Sequence, residues 1–115
     1  MDTNATYLAL IVCSGVGLLI IGLAIPLMLD KIKRNQWYGF RTPKTLSSDS
    51  VWYPANRTAA INFIVASVFI WAVAAVLYFA KAQMSPQTIV LTMAVLTILA
   101  IVCAVAGSFI ALRKL

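Results

Sequence analysis

Residues that could do chemistry are few in this sequence, and most of them lie between positions 30 and 58. The chain has 115 residues, with no His, no Glu and three Asp. Two of these acids, Asp30 and Asp49, fall in that stretch, together with a run of Lys and Arg. The set offers no nucleophile and base pair, no metal-ligand spacing and no phosphate-cradling Gly-Lys motif. The sequence therefore argues against an enzyme, and we expect no cofactor and no metal site.

The chemistry that remains in this stretch is recognition through charge and aromatic surface. Lys31, Lys33 and Arg34 form a basic cluster, and the aromatic run 37–40 follows with Gly39 inside it. A basic residue near anionic headgroups contributes about 1 kcal/mol, and aromatic rings favour the membrane interface. We therefore expect the lipid bilayer as a partner, with this stretch lying against it or folding between helix ends. Membrane topology explains the basic charges, so they do not indicate nucleic-acid binding.

Three apolar stretches must position these residues. Hydrophobic residues make up 63% of the chain and charged ones 10%, with a mean hydropathy of +0.96. The stretches 7–29, 59–80 and 88–112 contain no charge, and each exceeds the roughly 20 residues that a helix needs to cross a bilayer. The sequence predicts an all-α membrane protein, in which residues 1–115 form a single membrane domain. Its three transmembrane helices carry a structured 29-residue loop, residues 30–58, between the first and the second.

The basic residues near the ends of the spans predict an orientation. Eight of the nine Lys and Arg lie in the loop 30–58 or after the third span, and only Lys81 lies on the opposite side. The positive-inside rule then places the loop and the C-terminus in the cytoplasm and the N-terminus outside. The short connection around Ser85-Pro86 predicts a tight turn, which makes the second and third spans antiparallel neighbours.

Small residues predict where the helices pack closely. In the first span Gly15 pairs with Gly22 and Gly17 with Ala24, each seven residues apart, and in the third span Ala100, Ala104 and Ser108 form one ridge. Such faces let helices approach each other in lipid, within one chain or between two copies. A homo-oligomer is compatible with these faces. Asn62, inside the second span, is expected to have a hydrogen-bonding partner.

The end of the loop carries a helix-start signal. Ser47, Ser48 and Asp49 provide a Ser cap with an acid in the first turn. A helix begun there places Trp52 and Asn56 on one stripe with positions 59 and 63 of the second span. Pro54 leaves two arrangements open, one helix through this region or a short helix followed by a new start.

The run from Asn35 to Trp52, followed by Asn56-Arg57, resembles the signature of the SdpI-like family of bacterial membrane proteins. The run reads Asn-Gln-Trp-Tyr-Gly-Phe-Arg-Thr-Pro-Lys-Thr-Leu-Ser-Ser-Asp-Ser-Val-Trp. It contains an Asn, a Gly-x-Arg-Thr core and a Thr-Leu-Ser stretch, and then a Trp and an Asn. Since the chain begins directly with the first span, we expect a short form that carries only the shared module.

The resemblance implies a function as well as a fold. It implies a multi-pass immunity-type protein of the bacterial cell membrane, which protects the cell from a secreted antimicrobial peptide toxin. It also implies signalling, in which the loop recruits a cytoplasmic repressor. The alternative is an accessory or scaffold subunit of a larger membrane complex. The binding or motif residues implied are Asn35, Trp37, Gly39, Arg41, Thr42, Pro43, Thr45, Leu46, Trp52 and Asn56.

Arg41 is the most plausible charged contact in this set. Two roles remain open for it at this point. The guanidinium either contacts a partner or holds the loop together by bonding backbone carbonyls or Asp49.

Overall fold

Three long helices, with one long and one short connection, make up the structure. The computed structural model describes residues 3–115, in which α1 is Thr3–Met28, α2 is Asp49–Ala80 and α3 is Pro86–Leu112. Short 3-10 turns at Thr45–Ser47 and Lys81–Gln83 lie in the connections, and no strand occurs among the described residues. At a rise of 1.5 Å per residue, even α1 is about 39 Å long, which exceeds the roughly 30 Å hydrocarbon core.

The outer surface of the helices is apolar. Large side chains such as Leu8, Ile11, Val76, Phe79 and Ile98 are between 61% and 81% exposed. A surface of this kind is stable in lipid and not in water. All three helices are long and apolar enough to cross a membrane, which confirms, for the described residues, the predicted all-α class with three helices able to span it.

Helix α2 begins earlier than the hydropathy of its span indicated. Ser48 is the extended N-cap residue and Asp49 opens the first turn, as the helix-start signal predicted, although the Ser48 side chain makes no capping hydrogen bond. Pro54 lies inside the helix, so of the two arrangements left open the structure has one helix. Pro54 is the sixth residue of α2, where its missing N–H removes one hydrogen bond near the helix start. Residues 49–58, assigned to the loop from the sequence, are therefore helical.

Helix α2 packs against both other helices. At the end far from the long connection, Leu10 of α1, Ile70 and Leu77 of α2, and Ile89 and Met93 of α3 form a buried cluster. The short connection between α2 and α3 lies at this end, as the predicted tight turn requires. The Ser85 side chain accepts a hydrogen bond from the Thr88 N–H at 3.1 Å, and the proline that follows Ser85 opens α3.

Two polar contacts join the helices between their ends. The Asn62 amide donates to the Ser108 hydroxyl at 3.2 Å, which supplies the partner that Asn62 was expected to have. The Ser108 hydroxyl donates in turn to the Ala104 carbonyl at 2.7 Å. On the other side of α2, the Trp71 indole N–H donates to the Ser14 carbonyl of α1 at 2.9 Å. At least one hydrogen bond, which lipid cannot replace, therefore joins α2 to α1 and at least one joins α2 to α3.

The small residues sort into packed and unpacked positions. Gly17 and Ala24 are buried, and a Cβ atom on Gly17 would lie 2.9 Å from the Trp71 Nε1. A Cβ atom on Gly22 would have no neighbour within 4 Å outside its own helix. On α3, Ala104 and Ser108 are buried within the chain. One of the two spaced pairs on α1 therefore serves helix packing, because the Trp71 ring occupies the space above Gly17.

We expect Gly17→Ala to destabilise the protein and Gly22→Ala to leave it unchanged or slightly more stable. Both changes gain the same helix propensity, but only the first forces Trp71 away from Ser14, which should cost about 1–3 kcal/mol. Unfolding in an SDS titration, followed by circular dichroism, measures the difference. Equal midpoints for the two variants would contradict the packing described here.

Candidate functional site

The connection between α1 and α2 folds over one end of the helices, and we call residues 29–48 the connecting loop. It begins at a helix stop in which Asp30 adopts a left-handed backbone with φ of 60°. The Lys31 N–H bonds the Pro26 carbonyl at 2.9 Å and the Asp30 N–H bonds the Leu27 carbonyl at 3.3 Å. This is the paired pattern of a Schellman motif, which satisfies the last carbonyls of α1.

Two side-chain contacts tie the start of the loop to the helices. The Asp30 carboxylate accepts a hydrogen bond from Arg57 of α2 at 2.7 Å, which joins the end of α1 to the first turns of α2. The Tyr38 hydroxyl donates to the Leu23 carbonyl on α1. A phenol is already protonated and a donor at neutral pH, and burial raises the pKa of Tyr38 further.

Asn35 closes the first turn of the loop with its own side chain. Its carbonyl oxygen accepts from the Trp37 N–H at 2.8 Å and from the Tyr38 N–H at 2.7 Å. Its amide donates to the Lys33 carbonyl at 2.7 Å and to the Tyr38 carbonyl at 3.2 Å. The Asn35 side chain therefore pairs with four backbone groups of the loop, which in a helix or strand would pair with other backbone groups.

Asn56 on α2 holds the middle of the loop. Its side-chain oxygen accepts from the Phe40 N–H at 2.6 Å, and its amide donates to the Phe40 carbonyl at 3.3 Å and the Trp52 carbonyl at 3.0 Å. One turn earlier on the same stripe, Trp52 is fully buried and its indole N–H donates to the Ile32 carbonyl at 2.9 Å. The stripe predicted from the sequence thus faces the loop.

Gly39 is the position where the loop passes closest to α2. Its φ is +114°, a conformation that residues with a Cβ rarely adopt. A Cβ atom here would lie 2.7 Å from the Asn56 Oδ1 and 3.2 Å from the Trp52 Cη2. Both the backbone conformation and the space therefore require glycine.

Thr42 and Thr45 close the second turn of the loop by reciprocal hydrogen bonds. The Thr45 hydroxyl accepts from the Thr42 N–H at 2.7 Å, and the Thr42 hydroxyl accepts from the Thr45 N–H at 3.1 Å. The Leu46 N–H bonds the Thr42 carbonyl at 2.9 Å, and Arg34 donates to the Leu46 carbonyl at 3.3 Å. Thr45 is fully buried, so this pair forms the inner side of the turn.

The charges of the loop are paired unevenly. Arg34 lies 3.6 Å from the Asp49 carboxylate, and the Lys44 ammonium donates to the Leu112 carbonyl at the end of α3 at 2.8 Å. Arg41 donates to the Gln36 carbonyl and makes no ion pair among the described residues. Of the two ways in which Arg41 could hold the loop together, the structure shows the backbone carbonyl and not Asp49.

A cavity of about 410 Å³ lies beneath the loop, between the three helices. On α3, Phe109 forms part of its wall and stacks edge-to-face with Phe40 of the loop at 5.1 Å between ring centroids. Arg41 and Thr42 form part of the wall at the loop end. Ligand pockets in proteins typically enclose roughly 300–1,000 Å³, so this space is large enough for one apolar chain or side-chain group.

The structure separates the predicted site residues by what they do. Six of them build the loop through hydrogen bonds, burial or close approach, namely Asn35, Gly39, Thr42, Thr45, Trp52 and Asn56. Leu46 is half-buried, and Trp37, Arg41 and Pro43 are exposed. The sequence did not single out Tyr38 and Phe40 or the Asp30–Arg57 pair as site residues. Tyr38 and Phe40 could have been found in the sequence, because they are the two aromatic residues on either side of Gly39.

Within residues 3–115 no group of three or more His, Cys, Asp or Glu side chains could hold a metal ion. The polar groups of the loop serve mainly to bind its own backbone. These contacts fix the shape of the loop and leave a defined surface on its outer side.

The fold and the loop define a class of protein, namely a multi-pass membrane protein whose first connection is folded over the helix ends. Within this class the chain belongs to the SdpI/YfhL protein family, whose model matches residues 31–109. The match covers the loop from residue 31 onward, α2 and most of α3, and it confirms the family resemblance seen in the sequence. No curated protein and no solved structure matches the chain.

We expect Asn56→Asp to release the loop from α2. The substitution keeps the shape but replaces the amide donor by a carboxylate oxygen facing the Phe40 and Trp52 carbonyls, at a cost of about 1–3 kcal/mol per unsatisfied group. Trypsin should then cut faster after Arg41 and Lys44. Gln87→Glu makes the same chemical change on an exposed side chain at the other end of the bundle and should leave the rate unchanged. Equal cutting of wild type and Asn56→Asp would show that this contact does not hold the loop.

Proposed function

We propose that this chain is an immunity-type protein of the bacterial cell membrane, which protects the cell from a secreted antimicrobial peptide. Membership of the SdpI/YfhL family supports this function, because the match spans nearly all of the loop together with α2 and most of α3. The proposal includes recruitment of a cytoplasmic regulator through the same loop. An accessory or scaffold role has no comparable support from the contacts described above.

One observation supports the loop as the recognition surface. The loop binds its own backbone through buried side chains, and yet it leaves Trp37 88% exposed, with Arg41 and Pro43 also on the surface. Trp and Arg are the residues that most often dominate binding energy at interfaces. A surface that is already ordered loses little conformational entropy when a partner binds. These exposed residues are therefore the ones to which we assign partner binding.

The proposed partners follow from the chemistry of this surface. An indole ring packs against apolar side chains or lies at the membrane interface, and a guanidinium donates hydrogen bonds to a carboxylate. Both a membrane-active peptide and a folded regulator offer such groups. In our proposal, the loop and the C-terminus face the cytoplasm, because Lys and Arg are concentrated on that side.

Cells that produce the protein should survive a suitable secreted membrane-active peptide better than cells without it, and Arg41→Ala should reduce this protection toward the level of empty cells. The variant removes the exposed charge and its bond to the Gln36 carbonyl. Growth across a peptide concentration series is the measurement, with membrane insertion checked by fractionation.

Lys33→Ala is the matched control, since it also removes one exposed positive charge from the loop. It should protect like wild type. Equal survival of cells with and without the protein, across a panel of such peptides, would contradict an immunity function. Equal protection by wild type and Arg41→Ala would instead show that Arg41 does not contribute to binding the partner.

The orientation makes a separate prediction. A green fluorescent protein fused after Leu115 should fluoresce, and alkaline phosphatase fused at the same point should be inactive, because the first folds in the cytoplasm and the second outside it. Fusions in the short connection near Gln83 should give the opposite pattern. An active phosphatase after Leu115 would reverse the proposed topology.

A further inference from the structure

The wall of the cavity beneath the loop includes small residues on all three helices, among larger apolar side chains such as Leu23 and Phe63. Ala24 on α1 and Ala59 and Ala60 on α2 are buried at the wall, and Ser108 faces them from α3. At the opposite end of the bundle, larger residues such as Ile70 and Met93 fill the corresponding space. The space shared by all three helices is therefore filled at one end and open at the loop end.

The polar groups on the wall are already paired, with one exception. The Asn56 amide bonds Phe40 and Trp52, and the Thr42 N–H and hydroxyl bond Thr45. The Ser108 hydroxyl bonds the Ala104 carbonyl and accepts from Asn62. Arg41 brings a positive charge that faces no carboxylate among the described residues, and its guanidinium makes one hydrogen bond there. The charge of the wall is thus unmatched and concentrated at the loop end.

The cavity has the length and direction of part of a lipid chain. Its wall on α1 runs from Ile20 to Leu27, and Ile20 lies eight residues before the helix end at Met28. At 1.5 Å per residue this depth is about 12 Å, close to the roughly 15 Å of one leaflet's hydrocarbon. A molecule seated there would have its tail between the helices and its head beside Arg41.

We infer that this cavity binds one acyl chain of an anionic phospholipid, with the phosphate near Arg41. The apolar wall suits the chain, and the unmatched positive charge favours a head with a net negative charge over a zwitterionic head, whose phosphate is offset by its own cation. A free fatty acid shares this chemistry, and the bilayer itself supplies the phospholipid at far higher local concentration. The inference does not rest on the proposed immunity function.

Native mass spectrometry of the purified full chain in detergent tests this site. Phosphatidylglycerol and phosphatidylcholine with identical acyl chains are added separately, and oleate forms a third arm. We expect one phosphatidylglycerol per chain, retained at higher collision energy than phosphatidylcholine. Arg41→Gln should weaken the binding of phosphatidylglycerol about fivefold, the loss of one charge near a headgroup, whereas Lys33→Gln should not.

Val105→Trp tests the cavity itself. Val105 lines the cavity and is 40% exposed, so a larger ring can enter without displacing buried packing. The variant should lose the bound lipid. Val102→Trp adds the same ring on an exposed position outside the cavity and should keep it. Resistance of the loop to trypsin shows that both variants are folded.

Three results would overturn the inference. Equal retention of the two phospholipids would show that charge does not select the lipid. A Val105→Trp protein that binds lipid like wild type would show that the cavity is not the binding site. Binding of oleate without binding of phosphatidylglycerol would reject the phospholipid as the occupant. Because Arg41→Gln changes an exposed residue, the charge arm decides the question even if Val105→Trp does not fold. Both proposals use Arg41, so Val105→Trp distinguishes them: loss of lipid with protection retained in this variant separates the lipid site from the proposed function.

Discussion

The side-chain amide of Asn56 stands in for a stretch of backbone, and the position of the connecting loop depends on it. An amide offers a donor and an acceptor side by side, so it pairs with both polar groups of Phe40 as a neighbouring strand would. Its second donor bond, to the Trp52 carbonyl, fixes the side chain on α2. Gly39 follows from the same contact, since a Cβ there would meet the Asn56 oxygen. The placement of Phe40 against Phe109 of α3 then connects this amide to the third helix.

In the rest of the loop, side chains also bond the backbone where no helix or strand does so. A chain segment that folds against apolar helices must satisfy its N–H and C=O groups internally, because unpaired groups near hydrocarbon cost several kcal/mol. Asn35 satisfies three backbone residues of the first turn, and Thr42 and Thr45 satisfy each other in the second. Short polar side chains at these positions are therefore structural requirements of the loop. This explains why a segment with one 3-10 turn holds a fixed position above the helices.

The spans could be predicted from sequence because they depend on length and hydropathy alone. The start of α2 could be located only by its capping signal, since the first turns of that helix are polar and hydropathy does not detect them. Pro54 illustrates the limit: the sequence allowed a break, and the helix continues because only one hydrogen bond is lost. The motif residues were also visible in the sequence. Their division into loop builders and exposed residues was not, because the Asn56–Phe40 contact joins positions 16 residues apart and exists only in the folded chain.

The division of the charges connects the loop to what it can bind. Two of the basic groups near the helix ends, Arg34 and Arg57, are paired with the two acids there, and Lys44 serves the carbonyl end of α3, where a positive charge is favoured. Each of these contacts fixes a helix end or a turn, so each charge is used by the fold. Arg41 is different, because its one partner among the described residues is a carbonyl of the loop itself and because, unlike Lys44, it lines the cavity. Arg41 lines an apolar cavity and its guanidinium has no carboxylate partner among the described residues, so its charge stays available. The fold thereby fixes the position of Arg41 and leaves its charge to be matched by a group from outside the chain.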